Sequence, residues 1–100
     1  MPYTYALAPH GRTLATRPFG EQLRADLTDK AIGDHVVELD FSEVISISHS
    51  FADEFVARLA EEAKSGDVKF AVTVSGLSSE VERVVRKALE RRGLELPIPA

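Results

Sequence analysis

Residues 36–55, VVELDFSEVISISHSFADEF, pass from the periodicity of a strand to that of a helix, and this limits how the flanking segments can be arranged. Val37, Leu39 and Phe41 fall on one side of an extended segment and Val36, Glu38 and Asp40 on the other. That is the two-residue repeat of a strand with one buried and one wet face. From Ser50 the repeat lengthens. Phe51, Phe55 and Leu59, with Ala52, Val56, Ala60 and Ala63, form a broad apolar stripe opposite Glu54, Arg58, Glu61 and Glu62, which predicts a helix laid on a sheet. Ser48 or Ser50 can cap that helix, because a serine hydroxyl accepts from an orphan first-turn amide. Asp53 and Glu54 complement the positive end of the helix dipole.

The flanking segments are constrained by this unit. Residues 3–8 alternate large and small, His10-Gly11 marks a turn, and residues 12–15 are extended again, which predicts a hairpin of two strands. Thr16 can cap a first helix with Pro18 in its first turn and Phe19, Leu23, Leu27 and Ala31 as its stripe; Gly33 ends that helix or its loop. After the stop Ser65-Gly66-Asp67, residues 68–74 set Val68, Phe70, Val72 and Val74 against Lys69, Ala71 and Thr73. Ser78 or Ser79 caps a third helix with Val81, Val84, Val85, Ala88 and Leu89 inward and Arg83, Arg86, Lys87, Arg91 and Arg92 outward, closed by Gly93. Residues 94–98 predict a short edge strand, where Pro97 is tolerated. The order β-β-α-β-α-β-α-β predicts one α/β domain over residues 1–100 with a mixed four- to five-stranded sheet. In a sheet covered on both faces the central strands read as continuous apolar runs. Glu38, Asp40, Lys69 and Thr73 instead predict helices packed mainly on one face.

Composition narrows the function. With 44% hydrophobic and 28% charged residues the chain has the make-up of an ordinary globular domain. The absence of cysteine excludes disulfides, thiolate metal sites and a cysteine nucleophile, and fits a reducing cytosol. No apolar run approaches transmembrane length, and the start MPYTYALAPHGR lacks the basic-then-apolar order of a signal peptide, so a cytoplasmic location without membrane contact is the expectation. The net charge is -4 and the pI about 5.3, and the basic residues after position 76 read as a solvated face rather than a nucleic-acid footprint. There is no G-x-x-x-x-G-K-[ST], G-x-G-x-x-G or G-x-S-x-G, and His10, His35 and His49 do not have the spacing of a metal site. Asp53 and Glu54 are neighbours on a helix and do not face each other as a catalytic pair would. No metal, no cofactor and no enzymatic activity are expected.

The run Leu39-Asp40-Phe41-Ser42 with Val44, followed by Ser50-Phe51-Ala52-Asp53-Glu54, resembles the STAS-like family, bacterial relatives of the anti-sigma factor antagonists. Weaker matches extend to Arg17 and Val81. Anti-sigma antagonists proper carry Asp-Ser-Ser-Gly-Leu where this chain has Ser48, His49, Ser50, Phe51 and Ala52. The resemblance implies a STAS-like fold and a non-enzymatic signalling module whose strand–helix turn is recognised by a partner protein. In anti-sigma antagonists that partner is an ATPase of the histidine-kinase-like class, and it phosphorylates a serine at the position of Ser50. The candidate partner-binding or regulatory residues are therefore Arg17, Asp40, Ser46, Ser48, His49, Ser50, Asp53 and Glu54, with Ser50 the candidate phosphosite. The residues also admit plain structural roles: a cap at Ser50, dipole stabilisation by Asp53 and Glu54, turn bonding by Asp40, and an ion pair from Arg17 to Asp40 or Asp53. The alternative function is a small-ligand or nucleotide-binding domain using the same turn, since open α/β sheets bind ligands at the carboxyl ends of their strands. A monomer or weak homodimer is expected.

Overall fold

A computed structural model describes residues 3–97. The chain runs through β1 (Tyr3–Ala6), a 3-10 turn (Ala8–His10), β2 (Thr13–Leu14), α1 (Arg17–Lys30), β3 (Val36–Asp40) and β4 (Ser46–Ile47). It continues with α2 (His49–Ala52), a π-helical turn (Asp53–Ala57), α3 (Arg58–Ser65), β5 (Ala71–Ser75) and α4 (Ser79–Arg91). The main sheet has the order β1-β3-β5, and both of its pairings are parallel. Its register sets Tyr5 beside Leu39 and Leu39 beside Val74. Tyr5, Val37, Leu39, Val72 and Val74 are buried on one face, under the helices. On the other face Thr4, Ala6 and Ala71 are exposed, and Glu38, Asp40, Thr73 and Ser75 are half-buried. The alternation along β3 and β5 thus corresponds to one covered and one wet face, as the polar positions require.

The sheet itself differs from the expected one. It is three-stranded and parallel, with a separate two-stranded sheet, rather than a single mixed sheet of four to five strands. Residues 3–15 form no hairpin. β1 pairs with β3, whereas β2 pairs in parallel with β4, placing Leu14 beside Ile47. The connection explains why: the 3-10 turn with Pro9 at its start and Gly11 at φ 146 carries the chain out of the first sheet instead of folding it back. β4 is two residues long, too short to show a repeat in sequence. β5 begins at Ala71 and not at Val68, because the amides of Asp67 and Val68 donate to the Glu62 carbonyl and hold these residues to the end of α3. The expected strand over 94–98 is absent through residue 97, and Ile98 lies outside the described residues. The segment still reaches β5, where the Val74 amide donates to the Pro97 carbonyl at 3.3 Å.

Three helices start on side-chain caps. Thr16 accepts from the Phe19 amide, Ser48 from Phe51 and Ser78 from Val81. The helix over residues 49–65 is continuous, but the π turn adds a residue and rotates α3 relative to α2. Glu54, Phe55, Val56 and Ala57 are all buried in consequence, so Glu54 is not on the solvent face that the helical repeat gives it. Gly20 makes room for this on α1. A Cβ there would stand 3.2 Å from both the Glu54 Cβ and the Phe51 carbonyl, tighter than ordinary contact. Among the described residues no helix is long and apolar enough to cross a membrane.

Candidate functional site

The turn between β3 and the helix over 49–65 is locked from both sides. The Phe41 amide donates to the Ser75 carbonyl at 2.9 Å and the Phe41 ring is fully buried, so the loop leaves β3 already tied to β5. Asp40 accepts from the Ser42 amide at 2.9 Å, which gives it the turn-bonding role. Gly76 passes so close that a Cβ there would meet Ser42 Oγ and lie 2.6 Å from the Ser42 amide nitrogen and 2.8 Å from Asp40 Oδ1. Glu43 takes a left-handed conformation at φ 71, uncommon for a residue with a side chain. The chain then runs along β2, with the Ser46 amide donating to the Arg12 carbonyl at 3.3 Å and the Ser48 amide to Leu14 at 2.9 Å.

Ser48 is the residue that caps the helix. Its hydroxyl donates to the Ala15 carbonyl at 2.6 Å and accepts from the Phe51 amide at 3.0 Å. His49 and Ser50 take the first two helical positions and are exposed, while Ser46 and Ser48 are half-buried. The cap assignment separates the two serines energetically. Ser48→Ala is expected to cost about 1 kcal/mol, as an N-cap does, and Ser50→Ala no more than about 0.5 kcal/mol, as for an exposed surface substitution. Urea unfolding of the two variants checks this, and a larger loss for Ser50→Ala would place the cap two residues later.

One turn on, the carboxylates are engaged within the fold. Asp53 accepts from Arg92 through Nε at 2.7 Å and Nη2 at 2.9 Å, and from Arg17 Nη1 at 2.9 Å. Arg92 continues to Glu61 at 3.2 Å. Glu54, 5% exposed, accepts from Arg24 Nη2 at 2.7 Å and Arg17 Nη1 at 3.2 Å. Arg24 also donates to the Glu54 carbonyl at 3.0 Å and to Glu62 at 3.2 Å. This network ties α1, the π turn and the end of α4 together. The bonds from Arg92, and then those from Arg17, hold the Asp53 carboxyl well below the usual carboxylate range against the cost of burial. For Glu54 burial is the largest influence and pushes upward, but Arg24, Arg17 and the nearby charge of Arg58 together outweigh it and its carboxyl is also lowered. Arg17 is raised, first by its bond to Asp53 and then by Glu54.

The structure therefore brings Arg17, Asp53 and Glu54 into one charge cluster, and sets Ser46, Ser48, His49 and Ser50 along the turn before it. Asp40 stands apart, at the β3 end. Sequence reasoning left out Arg24, whose partners lie thirty or more positions away, and placed Arg92 among outward residues although it chelates Asp53. An arginine spaced for the covered side of α1 was the available signal. Among the described residues no group of three or more His, Cys, Asp or Glu is placed to hold a metal ion.

A parallel sheet covered on one face, with its carboxyl-end turn opening a helix, is the layout of a small α/β domain with its accessible turns at one end. A family model described as STAS-like domain of unknown function (DUF4325) matches residues 20–82, and the chain belongs to that family. Comparisons with curated proteins and with solved structures return no match.

Proposed function

We propose that the chain is a cytoplasmic, non-enzymatic regulatory module that binds a protein partner through the turn over residues 46–50, the partner being of the histidine-kinase-like ATPase class. The observation that carries this reading is the division of labour between the serines: Ser48 caps the helix, which leaves the exposed His49 and Ser50 side chains presented at its first turn. Polar residues on a turn fixed by a rigid scaffold are well placed for recognition. Asp53, Glu54 and Arg17 contribute by holding the helix start in place, because their charges are already matched within the fold.

The same pairing bears on Ser50 as a phosphosite. A phosphate at a helix start is favoured by the free amides and the dipole and opposed by carboxylates within a turn. Here Asp53 is neutralised by Arg17 and Arg92, which reduces the opposing effect. With a partner isolated from the native host, Ser50→Asp is expected to weaken the complex about tenfold or more, equivalent to about 1.4 kcal/mol, and Ser50→Ala to leave it intact. Equal affinity of Ser50→Asp and the wild-type chain, with both folded, would remove Ser50 from the interface.

A further inference from the structure

All three strands of the main sheet send their carboxyl-end connections to one cleft beside the turn. The segment after β1 supplies Arg12, the loop after β3 supplies Glu43 and Ile45, and the connection after β5 supplies Glu80 and Arg83 on the first turns of α4. The cleft has a volume of about 740 Å³. It occupies the end of an open parallel sheet where ligands are bound in other α/β folds.

Its chemistry is specific. Ile45 is 60% exposed, one of two large apolar side chains so placed among the described residues. It is not on a loose loop: its amide donates to the Arg12 carbonyl at 2.8 Å, and the loop is fixed behind it by the Asp40–Ser42 turn against Gly76. Arg12 and Arg83, like Arg58 and Arg91, form no ion pair among the described residues, whereas Arg17, Arg24, Arg86 and Arg92 do; Arg12 and Arg83 are the two of these that line the cleft. Glu43 and Glu80 also line the cleft, the latter in the first turn of α4 where it complements the helix dipole. A string of acidic residues would meet these two carboxylates. A single carboxylate beside an apolar side chain carries less of that repulsion.

We propose that this cleft docks an extended segment of the protein partner, with an aliphatic side chain against Ile45 and one carboxylate paired to Arg12 and Arg83. The proposal rests on the reading of the chain as a protein-binding module and adds a second contact to that surface. It is tested on the full ¹⁵N-labelled chain with two capped synthetic hexapeptides, one presenting Leu-Gly-Asp and the other Leu-Gly-Lys, and with inorganic phosphate as a separate arm. The Leu-Gly-Asp peptide is expected to shift the amides of Arg12, Ile45 and residues 78–83. The Leu-Gly-Lys peptide is expected to bind at least tenfold more weakly. Arg12→Gln combined with Arg83→Gln, and Ile45→Ser separately, are expected to weaken the Leu-Gly-Asp peptide about tenfold; all three positions are exposed, and an unchanged melting temperature shows that the fold is kept. No shifts at millimolar peptide, shifts mapping elsewhere, equal binding of the two peptides, or unchanged affinity in the variants would each overturn the proposal. The same shifts from inorganic phosphate alone would overturn it in favour of a small-anion site. Neither Ser50 nor the isolated partner enters this experiment, so its failure leaves the role of the turn standing, and the reverse also holds.

Discussion

Arg24→Ala is expected to lower the stability of the domain by about 3–5 kcal/mol at neutral pH, the cost of leaving one member of a buried ion pair without its partner. Glu54 is buried in the π turn, and Arg24 supplies both the 2.7 Å bond to its carboxylate and the bond to its carbonyl. Arg17, half exposed and 3.2 Å away, is a weaker substitute. Glu62→Ala removes only the outer partner of Arg24 and is expected to cost about 0–1 kcal/mol, as ion pairs nearer the surface do. The pH dependence has a definite sign. In the wild-type chain the folded-state values of Asp53 and Glu54 are depressed, so their contribution is complete above the ordinary carboxylate value of about 4 and is lost as pH falls below it. Without Arg24 the leading influence that lowers Glu54 is gone while burial still pushes its carboxyl upward, so the deficit of Arg24→Ala is expected to narrow as acid protonates the carboxyl. Urea unfolding at pH 7 and at about pH 3, below the ordinary carboxylate value, measures both effects. Equal midpoints for Arg24→Ala and Glu62→Ala at pH 7 would show that the pair is not buried.

Phe55→Ala is expected to cost about 3–5 kcal/mol, the range for deleting a buried aromatic ring. Phe55 is fully buried in the same π turn and lies 5.5 Å from the Phe51 ring and 6.1 Å from Tyr5, so it joins the helix to β1. Little of the resulting space can close, because Tyr5 is held by its sheet register and Phe51 by the cap at Ser48. A loss below about 1 kcal/mol in urea unfolding would mean that the π turn does not point this ring into the core.

Much of the fold was legible because the main sheet has one wet face. A two-residue repeat is visible only where the faces differ, and Val37, Glu38, Leu39 and Asp40 differ. Thr16 was a readable cap for the same kind of reason, standing just before an apolar helical repeat, and the cap of α4 was readable to within Ser78 or Ser79, of which Ser78 is the one that accepts from Val81. The second sheet was not legible. Thr13-Leu14 and Ser46-Ile47 are too short to carry any repeat, and their pairing spans more than thirty positions. The extra residue of the π turn leaves no mark in composition, so a strict helical repeat assigns Glu54 to solvent when it is among the most buried charged side chains. The turn at residues 46–50 was identified from its place after β3, but which serine caps could be settled only by the distances, since Ser48 and Ser50 both precede apolar positions.

Amide chemical-shift mapping of the ¹⁵N-labelled chain with its isolated partner is the most direct test of the turn as a binding surface. The largest changes are expected at His49 and Ser50 and along the first turn of the helix they open. Changes confined to the wet sheet face, at Thr4, Glu38 and Thr73, with none at His49 or Ser50, would contradict it.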